Sequence, residues 1–209
     1  MSVNQLRRRS CLPLEIVPAR RRGCAVTRRF STRITQRDVL EQAVAAHATR
    51  LGEKLRRDGL AVSAVTVFYH TSEHDRGDPM RSVSTVVHMP EATDDSRHLI
   101  QAALRGVERT WKEQGPSPWR YSKAGLVTTD LVPLDDAPRP LFDAHDREKS
   151  GALMAAMDAC NSRFGRGAVM PARAGLVEKR IWSTKFEMRS PRFTTRLSEG
   201  SSVSAALEA

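Results

Sequence analysis

The sequence predicts an α+β fold in which a four-stranded sheet is covered by two helices on one face, in the order βαββαβ. Three observations carry this. Runs rich in β-branched and aromatic residues, such as AVSAVTVFYH (61–70), alternate with segments whose apolar residues recur every three or four positions. Gly, Pro and Asp stand at the junctions between them. The 209 residues suffice for one good core plus extensions, and no apolar run is long enough for a membrane span.

The elements follow in order. CAVTRRF (24–30) reads as a strand with Cys24, Val26 and Phe30 on one side and Thr27 and Arg29 on the other. Arg28 interrupts that alternation. Thr35 reads as an N-cap, with Asp38 three residues later as a capping-box partner. Leu40, Val44, His47, Leu51 and Leu55 then make one helix face, which Asp58-Gly59 ends. Residues 61–70 form the second strand, 71–80 a loop, and 81–89 a third strand with Val83, Thr85, Val87 and Met89 on one face. Asp94 or Asp95 caps a second helix, whose stripe is Ile100, Leu104, Val107 and Trp111, with Gly115-Pro116 as its stop. The stretch 120–132 reads as a last strand, bulged near Gly125. This order is the split βαβ arrangement of ferredoxin-like domains. Residues 146–160 read as a third helix with Leu153, Met157 and Cys160 as its stripe.

The chain therefore divides into a basic connector (1–23), the sheet-and-helix domain (24–134), a Pro-rich linker (135–145), a C-terminal region (146–197) and a Ser/Ala-rich tail expected to be disordered (198–209). No periodic segment precedes the Arg-rich start, which fits a truncated chain. No apolar stretch follows those arginines as a leader would require, and the three Cys show neither metal-ligand nor secreted disulfide spacing, so the expectation is cytoplasmic.

Charge is uneven. Of the net +10, residues 1–37 carry +9 and residues 178–196 carry +4, whereas 38–177 nearly balance. Concentrated positive charge attracts a polyanion, with nucleic acid the leading candidate. With two helices on one face, the other face of the sheet is left to solvent or a ligand. Thr27, Arg29, Ser82, Ser84, His88 and Ser122, flanked by Arg28 and Arg81, suit such a face, because hydroxyls and guanidinium groups bond phosphate oxygens without reading sequence. Downstream, Trp182, Phe186 and Phe193 sit among Arg and Lys in 176–197, fit either for stacking, for a small core or for docking on a partner.

Catalytic patterns are weak. Asp94-Asp95 stands where a helix cap is needed, and Asp135-Asp136 lies in the linker. His70, Glu73, His74 and Asp75 resemble a metal cluster only loosely. GRG (165–167) lacks the Lys-Ser/Thr of a phosphate loop, and no Ser sits in a nucleophile elbow. His47, on an apolar helix face, reads as a packed histidine, and Cys160 as buried and inert. Binding is better supported than catalysis.

Several stretches, in their order and spacing, resemble the C-terminal half of the UmuC-type Y-family translesion DNA polymerases. SCLPLE (10–15) with GCAVTRRFS (23–31) is similar to the connector entering that family's little-finger domain. ITQRDVLEQAVAAHATRLGEKLR (34–56) is similar to its first helix, VTVFYHTS (65–72) to its second strand, and WRYSKAGLVTTDLVP (119–133) to its last strand. LFD (141–143), FGRGAV (164–169) and SPRFTTR (190–196) resemble its tail signatures. The resemblance implies a little-finger domain that grips DNA without base preference in SOS-induced, error-prone translesion repair. Arg20, Arg21, Arg22, Arg28, Arg29, Arg33, Arg81 and Lys123 are its expected DNA contacts. It places the metal-binding carboxylates and their Mg²⁺ in a palm domain to which nothing here corresponds, so no cofactor and no polymerase activity are expected of this chain alone.

The resemblance also gives PRPLFD (138–143) a role. Family members carry a Gln-x-x-Leu-Phe peptide whose apolar pair fills a pocket on the sliding clamp. Leu141 and Phe142 match, while Pro138 stands where Gln would be and removes an amide; the pair could still contribute roughly 3–5 kcal/mol gross. The alternative is that the pair packs on its own domain. The tail is expected to engage a UmuD-like accessory subunit and the RecA filament, with Trp182 and Phe186 either as anchors or as parts of an internal mini-domain. Other readings stay open: an RNA- or ribosome-associated ferredoxin-like protein, which predicts exposed aromatics on central strands, a small enzyme on the same scaffold, or a non-functional remnant of a truncated polymerase gene.

Overall fold

The computed structural model describes residues 21–75, 77–112, 118–140, 146–176, 180–183, 190–192 and 196. Strand β1 (Cys24–Ile34) leads into helix α1 (Arg37–Arg57), then β2 (Leu60–Thr71), β3 (Ser82–Thr93), helix α2 (Ser96–Thr110), β4 (Tyr121–Thr128) and the short β5 (Leu131–Pro133). Helix α3 (Arg147–Phe164) and a 3₁₀ turn (Ala172–Ala174) follow. The sheet runs β1-β4-β2-β3 with every pairing antiparallel, and β5 adds to β2. The α+β class and the βαββαβ order are thus as expected, with a fifth strand where 120–132 breaks into β4 and β5.

Alternation builds the core. Val65, Val67 and Tyr69 of β2, Leu126 of β4 and Val26 and Phe30 of β1 point to the helix side and are buried. They meet Leu40, Val44, Leu51 and Leu55 of α1 and Leu99, Ala103 and Val107 of α2. Tyr69 packs edge-on against Tyr121 at 4.8 Å and shares a 2.9 Å hydrogen bond with Thr110. Gly106 lets α2 approach the sheet, since a Cβ there would stand 2.7 Å from Val67 Cγ2.

Helix ends differ in detail from expectation. The α1 N-cap is Gln36, not Thr35, and its side chain makes no capping bond. The β1 strand extends to Ile34, whose burial at 3% fixes the chain one residue further before it can turn. Gly59 closes α1 at φ 64°, a conformation that L side chains rarely adopt. On α2 the expected cap is Asp95, whose carboxylate accepts from the Arg97 amide at 2.7 Å. That helix ends at Thr110; the proposed Gly115-Pro116 stop lies outside the described residues.

Gly125 is not a bulge. It pairs in register with Thr27 on one side and Phe68 on the other. The register shifts fall elsewhere, between Arg29 and Ile34 and between His70 and Thr71. The glycine is needed because a Cβ would lie 2.6 Å from Thr27 Cγ2 and 2.7 Å from the Phe68 ring.

The stripe on α3 is also displaced. Ser150 and Met154 are its buried residues, while Leu153 is 43% exposed. Polar ties decide this face. Arg56 grips Asp158 with two hydrogen bonds (2.7 and 2.8 Å), Ser150 donates to the buried Asp95, and Arg147 reaches Glu91. The resulting helix docks beside α1 and the start of α2 on side chains that a search for apolar periodicity passes over.

Candidate nucleic-acid interface

The sheet face opposite the helices is set by strand register. Across it run the rows Thr27–Gly125–Phe68–Ser84 and Arg29–Lys123–His70–Ser82, with Val127, Thr66 and Val86 forming a third row. His88 lies further along β3 opposite Ala64. Cations come from β1 and β4, hydroxyls from β1, β2 and β3. Among the described strand residues of these rows there is no Asp or Glu.

Phe68 is the centre of this face. Its ring sits on Gly125 and lies nearly parallel to His70 (12°, centroids 6.4 Å apart). The Lys123 ammonium stands 5.8 Å from its centroid. Sequence reasoning missed Phe68, although the signal was present: with Val65, Val67 and Tyr69 inward, period two sends Phe68 and His70 outward.

Of the expected DNA contacts, Arg29 and Lys123 are brought together on the open face, directly opposite in register. Thr27, Ser82, Ser84 and His88 join them as anticipated. Ser122, Arg28 and Arg81 do not. Ser122 is buried and donates to the His70 carbonyl at 3.1 Å, because its neighbour Lys123 faces outward. Arg28 pairs in register with the inward-facing Ala124, so its parity takes it to the helix side, where it borders a cavity beside His47. Arg81 is also on the helix side: its guanidinium lies 4.1 Å over the Trp119 ring and donates to the Thr110 carbonyl. Arg33 is held by Asp75 through two hydrogen bonds (2.5 and 2.8 Å), which raise the Arg33 pKa and lower that of Asp75. Arg21 pairs with Asp58 at 2.6 Å and Arg22 is exposed. Arg20 lies outside the described residues, as do Leu141, Phe142, Phe186 and the 198–209 tail.

Trp182 packs on β1 and α1 of the sheet-and-helix domain rather than within a mini-domain of the C-terminal region. It is buried, meets Phe30 and His47 edge-on at 6.2 and 5.8 Å, and donates from Nε1 to the Gln42 side chain at 3.0 Å. Burial, aided by the nearby Arg28 and Arg180 charges, pushes His47 down to about 4, so the ring is neutral. His70 Nδ1 is 2.8 Å from the Thr71 carbonyl and therefore donates. Among the described residues no group of three or more His, Cys, Asp or Glu could hold a metal, and no helix is long and apolar enough to cross a membrane.

Comparison with known proteins bears on this geometry. Residues 21–140 match the impB/mucB/samB family C-terminal domain, and residues 151–199 match a domain of unknown function, DUF4113. The chain is 36% identical to Protein ImpB of Salmonella typhimurium over 93% of its own length and 45% of that protein's. It is 33% identical to Protein UmuC of Salmonella typhimurium strain LT2, covering 95% and 46% respectively, and 33% identical to Protein SamB of Salmonella typhimurium, covering 93% and 45%. The chain thus spans less than half the length of the curated relatives it matches.

Proposed function

Because the chain belongs to the impB/mucB/samB family, as its C-terminal part, we propose that it grips DNA through the open face of its sheet within an error-prone translesion polymerase. Membership supports the translesion-polymerase-related role. The observation that carries DNA gripping is the composition of one face: Arg29 and Lys123 side by side, sharing that face with Thr27, Thr66, Ser82 and Ser84, without a carboxylate among those strand residues. Phosphate oxygens accept from each of these groups, and none of them discriminates bases along a backbone. Two cations beside hydroxyls on a twisted sheet favour a polyanion over a small apolar ligand.

The test is fluorescence anisotropy with two unrelated duplexes over a salt series. Affinity should be alike for both, fall steeply with salt, and drop about tenfold or more in Arg29→Ala/Lys123→Ala. Binding that ignores salt, or a double variant that binds as well as the parent, defeats the reading.

Phe68 favours a second reading. An aromatic on the open face of a central strand is what a single-stranded nucleic-acid platform requires. Preference for unstructured RNA over duplex DNA, lost in Phe68→Leu, would select it.

Partner docking belongs to the same proposal. The exposed Leu153, Phe164, Leu176 and Ile181 all belong to the C-terminal region and suit an accessory protein of the UmuD-like or RecA kind. Leu141 and Phe142 suit the sliding clamp.

A further inference from the structure

A cavity of about 520 Å³ opens on the helix side, between α1, the β1 edge and the segments that follow α3. Its lining meets the open sheet face at the β1 edge, through Ala25 and Thr27, but includes neither Arg29 nor Lys123. Arg28, Arg50, Lys54, Arg166 and Arg180 line it, and the carboxylate in its lining is Glu53, which Arg50 already engages. Lys54 donates to the Ala25 carbonyl at 2.9 Å. Arg180 is half-buried, and its partners among the described residues are neutral: the Ala174 and Gly175 carbonyls (3.0 and 3.1 Å), the Met170 sulfur and the Trp182 ring face. The side chains of Arg28 and Arg166 make no hydrogen bond or ion pair among the described residues.

A second observation is independent of charge. His47 lines the same cavity, is 4% exposed, and neither ring nitrogen has a hydrogen-bond partner. Buried polar side chains are nearly always partnered, and a half-buried guanidinium such as that of Arg180 favours an anion beside it. His47 and Arg180 line the same space.

We propose that this cavity binds a compact phosphate polyanion of the diphosphate class. With Glu53 engaged by Arg50, the lining cations Arg28, Lys54, Arg166 and Arg180 have no carboxylate partner among the described residues, and planar guanidinium groups fork onto phosphate oxygens. The volume accommodates two adjacent phosphoryl groups with room for what bears them. Two sources share that chemistry: free diphosphate, and the 5′-phosphate end of a DNA strand with its next phosphodiester. The imidazole N–H of His47 and the side chains of Arg28, Arg166 and Arg180 would donate to the anion.

Isothermal titration of the whole chain with sodium pyrophosphate at constant ionic strength tests this. Saturable binding at one site is expected, weakened at least about tenfold in Arg28→Ala/Arg166→Ala, as loss of two charge-assisted bonds implies. Arg105→Ala, on the exposed side of α2, should bind as the parent does. Melting without ligand establishes that each variant folds; should the double variant not, Arg166→Ala alone, in an exposed turn, carries the comparison. Displacement by a 5′-phosphorylated tetranucleotide but not by its 5′-hydroxyl form assigns the DNA end as source, and displacement by neither assigns free diphosphate. Absence of saturable binding, equal affinity in the variants, equally tight binding of citrate, or equal displacement by both tetranucleotides overturns the proposal.

Discussion

Replacing Trp182 by alanine should destabilise the domain. The indole buries on the order of 200 Å², and at about 25 cal/mol per Å² its transfer is worth roughly 5 kcal/mol at most. Its edge contacts with Phe30 and His47 vanish, leaving a void bordered by residues of β1 and α1. Gln42 loses the Nε1–H donor, at a cost of about 1 kcal/mol. Partial collapse of the void returns some of this, so the expected loss is about 3–5 kcal/mol. For a chain of this size that lowers the melting temperature by roughly 6–20 °C. Two bonds beside Trp182 also tie the C-terminal segment to β1: the Ser31 amide donates to the Trp182 carbonyl and the Ser31 hydroxyl to that of Ile181. With the anchor gone, trypsin should cut after Arg180 far faster. Urea melts and limited proteolysis on the same variant decide. A loss under about 1 kcal/mol with unchanged cleavage at Arg180 would falsify this packing role and return Trp182 to the surface as a partner anchor.

Gly125→Ala should cost about 1–3 kcal/mol, because the new methyl meets Thr27 and the Phe68 ring. Phe68→Ala in that background should recover part of the loss, and strictly additive costs in a double-mutant cycle would contradict the contact. His47 should make stability fall with acidity: the folded state keeps its ring unprotonated down to about pH 4, whereas the unfolded ring takes a proton near 6.5. Stability is therefore full above pH 6.5 and declines toward pH 4 by ~3 kcal/mol, and His47→Gln should flatten that slope in denaturant melts at pH 7.5 and 4.5. Parallel slopes in parent and variant would rule out the buried neutral ring.

Where side chains obeyed one strong period, the fold was legible. Val65, Val67 and Tyr69 announced β2, and Leu40, Val44, Leu51 and Leu55 announced α1. Arg28 and Arg81 depart from expectation because charge alone does not mark the open face. Parity sends both inward, and they stay solvated or stacked there because β1 and the start of β3 lie at the margins of the helical layer. The Ser122–Lys123 pair shows the same logic in reverse: one residue of phase separates a buried hydroxyl from a surface ammonium. The α3 face was illegible for a different reason. Its docking rests on Asp158 with Arg56 and on Ser150 with Asp95, and long-range polar partners leave no local period. The basic cavity was equally hidden, since its cations come from positions 28 to 180 and only the folded chain gathers them.

The claim that the open sheet face grips DNA is tested most directly by residue-resolved amide chemical shifts during titration with a short duplex at low salt. The account expects the largest shifts at Thr27, Arg29, Phe68, Ser84 and Lys123, all receding together as salt is raised. Shifts confined to the helices α1 and α2, or none at any salt, would contradict it.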